Sequence, residues 1–184
     1  MIFSWDRGLD YEKIKRKLTR ELKKLRKKKP LYKKDKVRYT YLLLGLIQLR
    51  NGCRIGEAIE GLLKFTRSSR KKEVYVKVEK RKDDAHRILV LPEEITREDL
   101  QVAKEVVKTW RKKPRRKIVV NVASWYIKRL NINTHSLRYA YISYLAKQKY
   151  PPQLIAAITG HKKLDMILKY TQNKIAEDIL RRIG

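Results

Sequence analysis

The chain has 184 residues, and its 48 lysines and arginines exceed its 19 aspartates and glutamates, giving a formal net charge of +29. Hydrophobic residues make up 42% of the sequence, which is enough for the core of one domain and excludes a wholly disordered basic tail. The longest apolar run, 41–47, is far too short to span a membrane, and the single cysteine, Cys53, excludes an internal disulfide and a cysteine-based zinc site. The charge indicates a polyanionic partner, with nucleic acid first and an acidic membrane surface second.

The first 40 residues are the most basic part of the chain, with 16 basic and 5 acidic side chains and therefore +11 of the total charge. Apolar residues recur there at helical spacing, at positions 14, 18, 22 and 25, and lysines and arginines fill the other faces. The pattern predicts an amphipathic helix from about Asp10 to Lys29 that ends before Pro30. Three roles stay open for it: a solvated helix docked by its apolar stripe, a helix lying on DNA phosphates, and a linker from an upstream domain.

The next segments predict two helices and a hairpin. Residues 37–50 are apolar almost all round, which is typical of a buried helix, and an Asn-Gly pair follows them. A second helix is predicted over 54–65, with its apolar residues on one face. The period then changes, because alternating valines over 74–79 and an apolar run over 88–91 flank a polar turn over 80–86. This pattern predicts an antiparallel β-hairpin.

The second half of the chain is predicted to be helical. Thr96 and Asp99 resemble a capping box at the start of a helix that runs to about Trp110. A basic connector over 112–117 and a short apolar run over 118–120 follow. Thr134 is the predicted N-cap of one later helix, and Gly160 ends another. The predicted helices lie at about 124–130, 134–148, 151–159, 164–170 and 174–182. We therefore expect an α+β fold that is mostly helical, with one small sheet, and the irregular order of elements excludes a doubly wound sheet.

Two common kinds of site are missing from the sequence. No glycine-rich phosphate loop follows a strand, so we expect no bound nucleotide. No aspartate and glutamate cluster has metal-ligand spacing, which argues against two-metal nuclease chemistry, and we expect no metal and no other cofactor. The N-terminus lacks the pattern of a secretory signal, so we expect an intracellular protein.

Three short motifs carry residue types that suit chemistry at a phosphodiester. They are Arg54-Ile-Gly-Glu57, His135-Ser-Leu-Arg138, and Gly160-His161 nine residues before Tyr170. Arginine holds two phosphate oxygens with its planar fork and stabilises charge that develops in a transition state. Histidine exchanges a proton near neutral pH, and a tyrosine oxygen becomes a covalent nucleophile when its deprotonation is assisted. Order and spacing together, rather than any single residue, carry this interpretation.

With these motifs in this order, the chain resembles the catalytic domain of tyrosine recombinases, the phage-integrase family. The family pattern is an arginine in a Gly-x-Arg-x-x-Glu context, a hairpin lysine, His-x-Leu-Arg, Gly-His and a tyrosine. The matching residues are Gly52-Cys-Arg54-Ile-Gly-Glu57, the hairpin over 74–91, His135-Ser-Leu-Arg138, Gly160-His161 and Tyr170. The resemblance covers residues 37–184 and implies the tyrosine recombinase catalytic-domain fold there. It leaves residues 1–36 as a basic helix or linker.

The resemblance implies a nucleophile and a phosphate clamp. Tyr170 would attack the scissile phosphate of DNA and form a 3′-phosphotyrosyl link, which leaves a free 5′-hydroxyl. Arg54 and Arg138 would hold the phosphate. The link conserves the energy of the phosphodiester, so a second strand can reverse the step with neither ATP nor a metal.

The resemblance also implies the proton transfers. His135 would assist proton transfer at the tyrosine, and His161 would hydrogen-bond a phosphate oxygen. A hairpin lysine would protonate the departing 5′-oxygen; Lys80 at the expected strand end is favoured, and Lys82 stays open. Glu57 would orient its neighbours without taking part in the chemistry.

The implied partner is double-stranded DNA, on which a homo-oligomer, a tetramer across two DNA sites, would integrate or excise a mobile element. Two other functions are compatible with the sequence. One is an architectural DNA-binding protein that does no chemistry. The other is a topoisomerase or a telomere resolvase that uses the same phosphotyrosyl step.

Overall fold

The computed structural model of the protein describes residues 8–68 and 70–183, without the side chains of residues 169–171, 173–175 and 178. The elements in this part of the chain are α1 (Tyr11–Lys27), α2 (Lys33–Asn51), α3 (Ile55–Arg67), β1 (Glu73–Lys77), β2 (His86–Val90), α4 (Arg97–Trp110), α5 (Arg115–Leu130), α6 (Thr134–Lys147), α7 (Pro152–Thr159) and α8 (Asp165–Ile183). The predicted class, α+β and mostly helical with a small antiparallel sheet, is confirmed. None of the helices described is both long and apolar enough to cross a membrane.

Helix α2 is the centre of the core. It is buried around nearly its whole circumference, as its apolar sequence predicts, and α1, α3, α4 and α6 pack on it. Helix α5 approaches it through Tyr126, whose hydroxyl donates to the carbonyl oxygen of Tyr41 at 2.7 Å. This close approach needs Gly45, because a Cβ there would lie 1.8 Å from the Tyr126 hydroxyl.

Helix α1 belongs to the same core. Asp10 is its N-cap and accepts a hydrogen bond from the Lys13 amide at 2.9 Å. Leu18 and Leu22 are completely buried against the rest of the protein. The predicted amphipathic helix is confirmed, with its end at Lys27.

The two strands pair antiparallel, with Val74 opposite Leu89 and Val76 opposite Arg87. These four residues form the buried face of the sheet. The amide group of Asn51 fixes the sheet to the end of α2, because it accepts from the Val90 N–H at 2.8 Å and donates to the Val90 carbonyl at 2.9 Å. The predicted hairpin is confirmed, although β1 ends at Lys77 and the turn is therefore longer than expected.

Three predicted boundaries are wrong. Residues 115–130 form the one helix α5, where the sequence suggested a connector, an apolar run and a short helix, because arginine and lysine are good helix formers and do not break a helix. Residues 165–183 form the one helix α8, since its polar middle contains no glycine or proline. The N-cap of α6 is Asn133, whose side chain accepts from the His135 amide, and not Thr134.

Candidate active site

Four helix ends meet at one place: the end of α2, the start of α3, the start of α6 and the end of α7. Glycines in the left-handed conformation end two of these helices, Gly52 with φ 55° after α2 and Gly160 with φ 74° after α7. A Cβ at Gly52 would lie 2.5 Å from Cδ1 of Tyr141, so that position also has no room for a side chain. The two turns bring Arg54 and His161 to the same part of the protein.

Glu57 is the centre of this region and is completely buried. Its carboxylate lies 3.4 Å from Nη1 of Arg54 and 3.5 Å from Nη1 of Arg87. It also accepts from the backbone N–H of Arg54 at 3.3 Å and of Glu79 at 3.1 Å. One carboxylate therefore fixes the start of α3, the backbone at the beginning of the hairpin turn and two guanidinium groups. We name Glu57, Arg54, Arg87, Arg138 and His161 together the arginine cluster.

Arg87 is a member that the motifs did not identify. Its side chain is buried on the inner face of β2, and it donates to the carbonyl oxygen of Thr159 at 3.0 Å and to that of Asn51. It thus joins the end of α2 to the end of α7, next to the turns that carry Arg54 and His161. Strand alternation could have found it, because Arg87 occupies an inward position between apolar neighbours.

Arg138 is the most deeply buried of the three arginines, with 1% of its surface exposed. It donates from Nη1 to the carbonyl oxygen of Gly52 at 3.0 Å, and its Nη2 lies 2.9 Å from Nε2 of His161. Burial, together with the nearby charge of Arg54, lowers the pKa of Arg138 to about 10. The guanidinium is still protonated at neutral pH.

His161 lies between Thr159 and Arg138. The Thr159 hydroxyl donates to the Ile155 carbonyl at 2.7 Å, and its oxygen lies 2.7 Å from Nδ1 of His161. Nη2 of Arg138 lies 3.0 Å from Nδ1 and 2.9 Å from Nε2 of the same ring. Burial, and then the charges of Arg138 and Arg54, lower the pKa of His161 to about 3, which agrees with a neutral imidazole.

His135 lies in the first turn of α6 and is half-buried, with its ring edge-on to Tyr139 at 5.3 Å between centroids. A positive charge on the His135 ring would add to the lowering of the His161 pKa, after burial and the nearby arginines, so the two histidines influence each other electrostatically. Tyr170 lies in the second turn of α8, which packs on α6 and α7. The Tyr170 side chain lies outside the described part of the structure.

The two candidate lysines lie in the hairpin turn, and both are exposed. Lys80 has a φ of 62° and directly follows Glu79, whose carbonyl accepts from Arg54 at 3.0 Å. Arg115, a second residue that the motifs missed, holds the Glu79 carboxylate at 3.1 Å and donates to the carbonyl of Gly56 at 2.6 Å. The backbone beside Lys80 is therefore fixed to the arginine cluster.

No protein-family model matches the chain. Three relatives align with almost all of it. An uncharacterized protein of Methanocaldococcus jannaschii is 38% identical over 98% of this chain and 89% of its own length. A protein of Acidianus two-tailed virus named "Putative integrase ORF241" is 34% identical over 98% of this chain and 69% of its own length. A protein of Sputnik virophage named "Putative integrase V10" is 33% identical over 97% of this chain and 89% of its own length.

The chain belongs to this integrase-like family. In this member, the arginine cluster holds three guanidinium groups against one carboxylate, with a neutral histidine beside them. The one carboxylate balances one of the three guanidinium charges, and two positive charges have no countercharge within the cluster. Such an excess of preorganised N–H donors in a buried place stabilises an anion with planar or tetrahedral oxygens, such as a phosphate. Among the described residues, no three histidine, cysteine, aspartate or glutamate side chains are grouped to hold a metal ion.

Proposed function

We propose that this protein is a DNA strand transferase of the tyrosine recombinase type, with its catalytic domain over residues 37–184. The observation that carries the proposal is the positive excess of the arginine cluster, next to the helix that bears Tyr170. The names of two relatives, both called integrases, support a role in DNA integration or excision. We propose double-stranded DNA as its partner and a homotetramer on two DNA sites as its assembly, as the resemblance to tyrosine recombinases implies.

Cleavage is one in-line displacement at phosphorus. The phenolic oxygen of Tyr170 forms a bond to the phosphorus, and its proton passes to His135. The bond from phosphorus to the 5′-oxygen breaks, and a hairpin lysine gives a proton to that oxygen. Arg54 and Arg138 hold the phosphate oxygens, on which negative charge increases in the transition state.

Rejoining reverses these steps with a different strand. The incoming 5′-hydroxyl gives its proton to the lysine and attacks the phosphotyrosine, and the tyrosine oxygen leaves and regains a proton. One phosphodiester is exchanged for another, so the cycle needs no external energy source.

Lys80 is the better candidate for the general acid. It directly follows Glu79, which Arg54 holds by the carbonyl and Glu57 by the N–H. Lys82 is two residues further into the turn, beyond Arg81, whose guanidinium pairs with Asp83. A proton donor must stay within hydrogen-bond reach of the leaving oxygen, and anchored backbone favours Lys80.

A pool of nicked duplexes of randomised sequence tests the proposal without knowledge of the target site. A nick beside the cleaved bond releases the short fragment that carries the free 5′-hydroxyl, so religation fails and the covalent complex is trapped. The wild-type protein should retain DNA through denaturing electrophoresis, and the Tyr170→Phe variant should not. Tyr150→Phe is the matched control, because this tyrosine is exposed and belongs to none of the motifs, and it should retain the adduct.

The other functions give different results in the same experiment. No adduct with any duplex of the pool overturns the proposal and leaves a protein that only binds DNA. Adducts accompanied by relaxation of supercoiled DNA of any sequence indicate a topoisomerase instead. Sequencing of the trapped duplexes reports whether the recombinase has a preferred site.

The Arg138→Ala variant separates cleavage from binding. Loss of one preorganised donor to a transition state lowers a rate by roughly 10²- to 10³-fold, so adduct formation should fall at least that far. DNA affinity should change little, because many other cations contact the backbone. Arg138→Lys should also be poor, since an ammonium does not reproduce the two-pronged contact. Equal losses of binding and cleavage would contradict the assigned role.

A further inference from the structure

Five exposed cations form one row along helix α1. They follow each other three, four, three and four residues apart, which places them on one helix face, and they are Lys13, Arg16, Arg20, Lys23 and Lys27. We name them the α1 cation row. At 1.5 Å per residue the row is about 21 Å long.

The face opposite the row anchors the helix. Tyr11, Ile14, Leu18 and Leu22 are buried there, and the Tyr11 ring stacks on Tyr144 at 4.3 Å. Cations on the flanks of α1 add polar contacts to the body of the protein. These are Lys15 with Glu94 at 2.8 Å, Lys17 with the Leu130 carbonyl at 3.1 Å, and Arg26 with Asp99 at 2.5 Å. The row is therefore presented to solvent in a fixed position.

The row is not neutralised by the part of the protein that the structure describes. Within 4 Å of its five charged groups, the described carboxylates include only that of Glu21, 3.9 Å from Nε of Arg20. That carboxylate is closer to Lys24, at 2.8 Å. Like charges three and four residues apart repel, and Lys13 lies in the first turn, where the helix dipole disfavours a cation. The arrangement opposes helix stability, so folding does not explain it.

The burial of the apolar face decides the class of partner. A basic amphipathic helix binds a membrane by inserting its apolar face among the acyl chains. In α1 that face is covered by α2 and α6, so only the charges are available. A straight row of cations without apolar neighbours fits a regular line of phosphates. The row spans the backbone rise of about six base pairs, at 3.4 Å per phosphate on one strand.

We propose that the α1 cation row binds the sugar–phosphate backbone of duplex DNA independently of sequence. This surface is separate from the arginine cluster, and its function does not require that Tyr170 be a nucleophile. The row would provide a second contact with the same duplex. This contact would fix the position of the DNA while one phosphate is held in the arginine cluster.

The test measures affinity for a duplex of about 30 base pairs by fluorescence anisotropy over a range of salt concentrations. The row variant replaces all five cations by glutamine in the full chain. The control variant replaces five exposed cations of α4, α5 and the segment between them by glutamine, namely Lys104, Lys108, Lys112, Lys128 and Arg129. Both variants lose the same net charge, so a difference between them reports local contact and not the overall field.

We expect the slope of log affinity against log salt to become shallower by about 0.9 for each phosphate that the row neutralises, up to ~4.5 in the row variant. The control variant should lose less than half as much. Circular dichroism and thermal melting verify that α1 stays folded. The smaller Arg20→Gln/Lys23→Gln variant should lower the slope by up to ~1.8 and guards against unfolding of the larger one.

An unchanged slope in the row variant, or equal losses in both variants, would overturn the proposal. Binding of the wild type to phosphatidylserine vesicles that only the row variant loses, with DNA affinity intact, would assign the row to lipid. These measurements do not depend on strand cleavage. If wild-type protein forms no covalent adduct, the proposed chemistry fails while the row is still tested.

Discussion

The ionic cluster around Asp99 and the arginine cluster differ in how their charges balance. At the start of α4, Asp99 accepts two hydrogen bonds from Arg26, at 3.0 and 2.5 Å, one from the Tyr39 hydroxyl and one from the Thr96 amide at 2.7 Å. One cation meets one anion there. In the arginine cluster, Glu57 alone faces three guanidinium groups.

The ionisation of each cluster reflects this balance. Burial alone would raise the pKa of Asp99, but the hydrogen bonds from Arg26 and Tyr39 outweigh it and the pKa is lowered. At Arg138 burial and the charge of Arg54 act in the same direction, and the pKa is lowered to about 10. In the Asp99 cluster the positive and negative charges balance each other, and the ion pair joins α1 to α4. The arginine cluster holds like charges together and becomes complete only with an added anion.

The largest effect should come from removing the one anion of the arginine cluster. Glu57→Gln keeps the shape but leaves Arg54, Arg87 and Arg138 without a countercharge. Breaking a buried ion pair from one side costs about 3–5 kcal/mol, so we expect a loss of that size in the free energy of unfolding, measured with denaturant. The control is Glu60→Gln, which changes a glutamate three residues further along the same helix. Its pair with Lys64 is partly exposed and should contribute less than ~1 kcal/mol.

Addition of inorganic phosphate or DNA should change the stability of the wild type and that of Glu57→Gln by different amounts. Because an anion lowers the repulsion among the three arginines, it should stabilise the wild type and stabilise Glu57→Gln more strongly. Equal stability of Glu57→Gln and the wild type would show that the cluster does not depend on this carboxylate.

A smaller effect is expected at the balanced cluster. Asp99→Asn leaves Arg26 and Tyr39 with weaker acceptors, so the free energy of unfolding should fall by about 1–3 kcal/mol. Since the folded-state pKa is lowered, the stabilisation is present above the unfolded value near 4 and is lost as pH falls through the folded value. The difference between the variant and the wild type should therefore disappear in acid. A fall in the rate of adduct formation at saturating DNA would contradict the separation of the two clusters.

The sequence predicts the fold well where local chemistry decides it. The Thr96–Asp99 capping box, the glycine end of α7 and the alternation of the hairpin all have local causes, and all are present. The sequence pattern does not predict that residues 115–130 and 165–183 each form a single helix, because charged and polar residues interrupt the apolar spacing in both segments. Whether such residues continue a helix depends on what the neighbouring faces pack against, which is not local.

The candidate site divides in the same way. Motif spacing identifies Arg54, His135, Arg138, His161 and Glu57, and the structure brings the helix ends that carry them together. Arg87 and Arg115 were missed because their roles depend on backbone carbonyls of distant segments, Thr159 and Gly56. The choice between Lys80 and Lys82 needs the position of a turn, and the strand pattern fixes the strands more closely than the turn between them.

The last predicted effect is a dependence of stability on pH, and it concerns the neutral histidine of the arginine cluster. The folded-state pKa of His161 is about 3, against an ordinary value near 6.5, so the unfolded chain binds a proton that the folded chain does not between these values. Stability should therefore fall as pH decreases below about 6.5, with a slope of at most ~1.4 kcal/mol per pH unit, reduced by the partial exposure of the ring.

Thermal melting between neutral pH and pH ~4 measures this slope, since it covers the range between the two pKa values. In His161→Asn the side chain does not titrate, so the part of the slope that belongs to this residue should be lost. His86→Asn is the control, because His86 is exposed on β2 and should leave the slope as it is. If His161→Asn melts with the wild-type pH dependence, the ring is not held neutral by burial and by the arginines, and the positive excess ascribed to the cluster is too large. If the slope is lost only in His161→Asn, the positive charge of the cluster opposes protonation of His161. This is expected of a site that binds an anion.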